Sequence, residues 1–299
     1  MKQRVIITGA TGFIGKNLCH FLAEHGDFEI GVIVRNADKL GADFPVSRCF
    51  QLTSSFEDLY RFVDDFQPVG IFHLASLFIA NHQTNDILPL IQSNIAFGTM
   101  LLEAAAVSKK IKYFINIGSS WQTAVSDSSD YHPMDLYAAT KQAFEDILHF
   151  YSEFYGLKSV TLRLFDSYGP GDTRRKLLQL LAHSLKTGDS LAMSPGEQQI
   201  DLVHVADICR AIRTAFEKLQ SGELVSGDIY GVRSGHPVKL KELAALIECA
   251  AGKKLNIVWG GRPYRPNEIM KTNMALHSLP GWKPEISLAD GLKEYFHSL

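Results

Sequence analysis

Two hydrophobic patterns alternate along the first 165 residues. Short, β-branched apolar runs occur at Arg4–Thr8, Phe28–Val34, Cys49–Thr53, Val69–Ala75, Ile111–Ile117 and Leu157–Leu164. They are too short for typical helices and too continuous for half-exposed strands, so they predict strands of a buried parallel sheet. Elsewhere apolar residues recur three and four apart: Leu18, Phe21 and Leu22 within Asn17–His25, a long stretch over 86–108, and Phe144, Ile147, Leu148 and Tyr151 after Tyr137. That spacing gives a helix one apolar stripe. Strands and helices in alternation imply an α/β sheet covered by helices on both faces. Later the pattern loosens. A helix is expected from Arg174 to about Lys186, then short strands and turns over 187–237 around a helix at Val205–Gln220. Further helices are expected at Lys239–Ala251 and Leu288–His297.

Composition narrows the class of partner. The 299 residues are 46% hydrophobic and 21% charged, with a net charge of -2. So even a balance argues against nucleic acid or an anionic membrane as the main partner. Cys19, Cys49, Cys209 and Cys249 fit neither a metal nor a disulfide spacing and read as reduced thiols of a cytoplasmic protein. The first apolar run is too short for a signal peptide, and no stretch reaches the ~18 apolar residues of a membrane span.

Candidate chemistry gathers where strands end. Gly9-Ala10-Thr11-Gly12-Phe13-Ile14-Gly15 links the first strand to the first helix. Glycines there permit a tight turn and close approach of backbone to a pyrophosphate, which is the fingerprint of a Rossmann-type dinucleotide site. Gly9, Thr11, Gly12, Phe13, Ile14 and Gly15 are the expected phosphate-side contacts. The second strand ends in Arg35-Asn36 rather than an acid. NAD sites use an acid there for the ribose hydroxyls, so Arg35 points to the 2′-phosphate of NADP(H). Leu74 and Ala75 close a strand whose small residues suit backbone lying along a cofactor, while His73 reads as a core histidine.

Tyr137 and Lys141 lie four apart, on one face of a helix. An ammonium beside a phenol is expected to lower its pKa and fit it for proton transfer near neutrality. Ser119 follows the fifth strand at its carboxyl end, where ligands bind in open α/β sheets, and could hydrogen-bond a substrate oxygen beside Tyr137. Each residue alone also fits a solvated helix face or a turn cap. Together they do not.

With the glycine turn, Ser119, Tyr137 and Lys141 in this order, the chain resembles an extended short-chain dehydrogenase/reductase of the nucleotide-sugar epimerase, dehydratase and reductase branch. His73-Leu74-Ala75, Asn94, Leu162 to Gly171, Asp201 to Asp207, Arg265-Pro266 and Gly281 to Pro284 also match. The resemblance implies Tyr137 as acid/base, Lys141 as its tuner and ribose ligand, and Ser119 as substrate orienter. It further implies a Rossmann domain over 1–165 and a smaller C-terminal α/β substrate-binding domain over 166–299, with about 200–232 returning to the first. Dimers through the helices at 86–108 and 137–155 are a family expectation.

Departures from the family pattern select a reaction. Family dehydratases carry acids just after the serine, where this chain has Ser120 and Trp121. Family epimerases usually hold NAD, against the NADPH that Arg35 suggests. The Trp121-Gln122, Leu136 to Glu145 and Met193 to Gln198 motifs look most like the CDP-abequose synthase-like 4-ketoreductases. That resemblance implies NADPH-dependent reduction of a CDP-linked deoxyhexulose. An NAD-dependent 4-epimerase and a non-catalytic NADP-sensing or scaffold protein are the alternatives. Ser119, Ser120, Asp166, Arg174 and Arg265 are the expected substrate contacts. The family's usual diphosphate-binding arginine before Asp201 is replaced by Ile200.

Overall fold

The computed structural model describes residues 2–298 apart from 54 and 126. Strands β1 (Gln3–Thr8), β2 (Phe28–Val34), β3 (Arg48–Gln51), β4 (Gly70–His73), β5 (Tyr113–Ser119) and β6 (Lys158–Leu164) join Ile229–Val232 in one sheet. The order is Ile229–Val232, β6, β5, β4, β1, β2, β3, and every pairing is parallel. Chain order reverses between β1 and β4, and the crevice above their carboxyl ends is the expected ligand site of such a sheet.

Helices cover both faces because their apolar stripes need the sheet. On one face α1 (Phe13–His25) and α7 (Val205–Ser221) bring Leu18, Leu22, Ile208, Ile212 and Phe216 onto Val5, Ile7, Phe72 and Ile115. On the other, α2 (Phe56–Phe66), α4 (Phe97–Ser108) and α5 (Leu136–Tyr155) cover Ile6, Ile71 and Phe114. A third core joins α6 (Leu177–Thr187), α8 (Leu240–Ala251) and α9 (Leu288–His297) around Tyr168, Leu181, Leu243 and Leu292. Late in the chain, Asp207 receives the amides of Glu285 and Ile286 and a guanidinium bond from Arg210, which ties the C-terminal segment to α7.

Several boundaries differ from the sequence expectation, each for a local reason. The first helix begins at Phe13, directly on the glycine turn, rather than at Asn17. β5 runs on to Ser119 because Gly118 has no side chain to collide with its neighbours: a Cβ there would lie 2.9 Å from Arg163 Cγ on β6. β4 stops at His73, since the Ala75 amide turns to the Thr8 hydroxyl at 3.1 Å. The helix expected from Arg174 starts at Leu177, so the three basic residues precede it instead of crowding its first turn.

The single helix expected over 86–108 is instead α3 (Ile87–Ile91), a π-helical turn at Gln92–Ala96, and α4. π turns re-aim one side chain at the expense of regular bonding. Here that side chain is Asn94, which accepts from the Leu77 amide at 2.7 Å and donates to Leu77 O and to the Thr140 hydroxyl. Among the described residues, the run Thr84–Ser108 is the one helical stretch long and apolar enough to cross a membrane by length and composition. Its buried side packs on α2 and α5 of this fold.

Candidate active site

The glycine turn opens a cavity of about 580 Å³ above the switch point, lined by Gly9, Gly12, Phe13, Ile14, Gly15, Leu74, Ser119, Ser120, Tyr137, Asp166 and Arg174 among others. Gly9 has φ +73°, and a Cβ there would lie 2.8 Å from the Ala75 amide nitrogen. At Gly15 a Cβ would stand 2.2 Å from Gly9 O. No side chain caps the first turn of α1. A backbone cradle stripped of side chains, with an open helix N-terminus, fits a dinucleotide pyrophosphate. His73 is fully buried, bonded to the Thr8 hydroxyl at 2.9 Å and ringed by Phe97, Phe114 and Phe144. Burial holds it down to about 3, a neutral core histidine.

Tyr137 enters this cavity from the first turn of α5, whose start is fixed by Asp135 accepting from the Ala138 amide at 2.8 Å. The expectation that Lys141 would lower the phenol is not met. Burial pushes the Tyr137 phenol up, the Asp135 charge adds to this, and Ser76, Ser119 and Arg174 act against it. Lys141 is 2% exposed and lies behind the cavity wall. Burial brings it down to about 8, with Glu145 opposing, so the cation itself is weakened. For the phenol, its own desolvation is the larger effect.

A buried polar network holds the serine turn in place. Gln122 caps the Ser119 amide at 2.9 Å and donates to Gln142 on α5. Arg163 donates to Gln142 and, at 2.6 Å, to Glu145. The Arg163–Glu145 pair is almost wholly buried. These contacts connect β5, α5 and β6 directly beneath Ser119. Sequence inspection does not isolate this set, because Gln142 and Glu145 read there only as polar positions in a longer motif.

A second cavity of about 620 Å³ adjoins the first, and Phe78, Ser120, Trp121, Asp166, Arg175 and Lys176 line both. Arg262, Arg265 and Ile200 line its outer part. Late residues close it: Asn273 donates to Thr123 O and Ser128 O, and Asn267 donates to Met134 O. Burial raises the Asp166 carboxyl, with Lys176, Arg174 and Arg265 opposing and Asp201 adding.

Not every expected residue meets the others. Arg174 lies at the cavity, but its guanidinium is engaged by Asp172 and Ser167 and stacks 4.4 Å from the Phe13 ring centre. Arg265 lies in the second cavity only. Thr11 and Arg35 are exposed and, like Ala75, lie outside the lining of either cavity. Phe78 is the residue that sequence reasoning missed. Its ring stands 5.0 Å from that of Tyr137 and 5.2 Å from that of Trp121. An aromatic in the loop after a strand whose carboxyl end faces the ligand edge was the available signal.

A glycine turn at the switch point of a doubly wound sheet, with serine, tyrosine and lysine gathered beside it, defines a Rossmann-type enzyme of the short-chain dehydrogenase/reductase class. More narrowly, the chain belongs to the NAD dependent epimerase/dehydratase family, whose model matches residues 5–232. It is thus an extended short-chain dehydrogenase/reductase, an NAD(P)-dependent enzyme of nucleotide-sugar chemistry. It is 28% identical over 306 residues to CDP-abequose synthase of Salmonella typhimurium, covering 100% of this chain and 99% of that one. In fold it is similar to UDP-glucose 4-epimerase of Thermotoga maritima, solved with UDP-glucose, at TM-score 0.85 and 22% identity over 99% of this chain and 98% of that one. It is likewise similar to UDP-glucuronic acid 4-epimerase of Bacillus cereus, solved with UDP-glucuronic acid and NAD, at TM-score 0.84 and 22% identity, with the same shares covered. At that identity the two structures speak for the fold.

Proposed function

We propose that this chain is a 4-ketoreductase that uses NADPH to reduce a nucleotide-activated deoxyhexulose, CDP-linked as for its Salmonella relative. The observation that carries the reading is the join between the two cavities. Tyr137 and Ser119 line the first cavity beside it, with Ser120 and Trp121 at the join, neither of which can serve as the acid or base of a dehydration. Arg35 at the end of β2 favours the 2′-phosphate form of the cofactor.

Gly9, Gly12 and Gly15 would hold NADPH along the glycine turn, and the cofactor would supply the hydride for the carbonyl carbon. Ser119 holds the carbonyl oxygen, and Tyr137 gives that oxygen its proton as the bond order falls. The phenol is protonated at neutral pH and so has the proton to give. Lys141 supports the tyrosine from behind the cavity wall, one turn along α5. Arg175, Lys176, Arg262 and Arg265 supply the positive charge that Ile200 no longer offers the diphosphate. In this division of labour residues 1–165 hold the dinucleotide and 166–299 mostly the sugar nucleotide, with about 200–232 returning to the first unit. The protein works in the cytoplasm as a homodimer. Exposed Leu88 on α3 and Phe150 and Phe154 on α5 supply the apolar face for a second copy.

A 4-epimerase is the second reading, favoured by the solved neighbours that carry that activity. The two separate on one assay panel. Purified protein should oxidise added NADPH with a nucleotide 4-ketosugar; activity without added NADPH, with NAD held through purification, would establish the epimerase instead. In the same panel Tyr137→Phe should lose about 10²–10⁴-fold in turnover while binding NADPH as before. Full activity in that variant refutes the mechanism.

A further inference from the structure

Both polar groups of Ser119 are held from behind. Its hydroxyl oxygen accepts from the Trp121 amide at 3.3 Å, and its own amide donates to Gln122 Oε1 at 2.9 Å. Gln122 is fully buried, and its Nε2 donates to Gln142 Oε1 on α5 at 3.1 Å. That oxygen also receives Arg163 Nη2 at 2.9 Å, while Gln142 Nε2 donates to Asp146 at 3.0 Å. Gly118 makes the close packing possible, since a Cβ there would stand 2.9 Å from Gln122 Oε1 and from Glu145 Oε1.

The two charged ends dictate which way each amide points. A guanidinium only donates and a carboxylate only accepts, so Gln142 must turn its oxygen to Arg163 and its nitrogen to Asp146. Gln122 must then offer Gln142 its nitrogen, which leaves its oxygen for the Ser119 amide. With that amide occupied and the hydroxyl oxygen accepting from Trp121, what Ser119 keeps for the cavity is the hydroxyl proton. The group is thereby set to donate to an oxygen beside Tyr137.

We propose that Gln122 is the positioning residue of this site, its amide locked by Gln142 so that Ser119 serves as a hydrogen-bond donor to the substrate's reacting oxygen. The proposal rests on the reading of Ser119 and Tyr137 as the pair that holds that oxygen, and applies whether a carbonyl is reduced there or formed. A donor to developing negative charge is worth about 10²–10³-fold in turnover, and a displacement of about 1 Å can cost about 10²-fold. Those figures set the scale expected of Gln122.

A double-mutant cycle on kcat tests it, with Ser119→Ala, Gln122→Met and the two combined. The probes are a CDP-linked 4-keto-6-deoxyhexose with NADPH and, for the epimerase reading, UDP-glucose with NAD. Ser119→Ala should lower kcat by about 10²–10³-fold and Gln122→Met by about 10- to 100-fold, with cofactor affinity unchanged in both. In the double variant the loss should equal that of Ser119→Ala alone, because Gln122 acts only through the serine. Losses that multiply, or full activity in Gln122→Met, overturn the proposal while leaving the serine's role intact. Full activity in Ser119→Ala, or turnover of neither probe by the native protein, refutes the reading of the site and the proposal with it. Should Gln122→Met fail to fold, Gln122→Glu keeps an oxygen for the Ser119 amide but cannot donate to Gln142, and carries the same cycle with the same outcomes.

Discussion

Replacing Lys141 with methionine should make the protein more stable while removing its activity. The side chain is 2% exposed and its pKa is brought from 10.5 down to about 8 by burial. Each tenfold change in a proton-binding constant is worth about 1.4 kcal/mol, so holding the ammonium in the fold at pH 7 costs about 3 kcal/mol. Methionine is similar in length, carries no charge, and leaves Glu145 with its Arg163 partner at 2.6 Å. Urea unfolding of the cofactor-free protein at pH 7 should therefore show the variant more stable, by up to about 3 kcal/mol less any loss from imperfect packing. The sign of the pH dependence follows from proton counting. Between about 8 and 10.5 the unfolded native chain keeps the Lys141 proton that the fold has released, so native stability rises with pH across that interval. The advantage of the variant should shrink by about 1.4 kcal/mol per pH unit above 8. A variant less stable at pH 7, or an advantage that does not change between pH 7 and pH 9.5, would refute the reasoning.

Two further outcomes follow. Glu145 supports the charge on Lys141, so Glu145→Gln should move the alkaline limb of kcat/KM for NADPH to lower pH, starting from a native limb near 8. It should also destabilise the fold by about 3–5 kcal/mol by leaving Arg163 buried without its partner, a loss that Arg163→Met in the same chain should partly reverse; an unmoved limb would separate Glu145 from the lysine. Arg35→Ala should reduce the preference for NADPH over NADH by about 10- to 100-fold, the worth of one charge-assisted hydrogen bond, with NADH kinetics unchanged. Equal use of both cofactors by the native enzyme would count against this role.

Much of the framework can be read from the sequence, because strand burial and helix amphipathicity are local patterns. β2 and α9 fall on the expected residues, and Ser119 and Tyr137 meet at one cavity. What escaped depends on packing in three dimensions. The π turn at Gln92–Ala96 exists to deliver Asn94 to Leu77 and Thr140, distant in the chain. The phenol of Tyr137 moves up rather than down because burial outweighs a lysine that is itself desolvated, and spacing says nothing about burial. Arg174 looked available for a ligand, yet Asp172 two residues earlier occupies it. Phe78 has no motif around it; only the folded loop carries its ring to Tyr137.

The straps from Asn267 and Asn273 back to residues 123–134 have a consequence for how the enzyme is made. Translation delivers the glycine turn, Ser119, Tyr137 and Lys141 before the residues that close the second cavity. A growing chain therefore owns its chemical groups long before it owns a place for a sugar. Premature termination anywhere between these points leaves a protein with the tyrosine but without the sugar's enclosure, and the later segment acts as the licence for the earlier one.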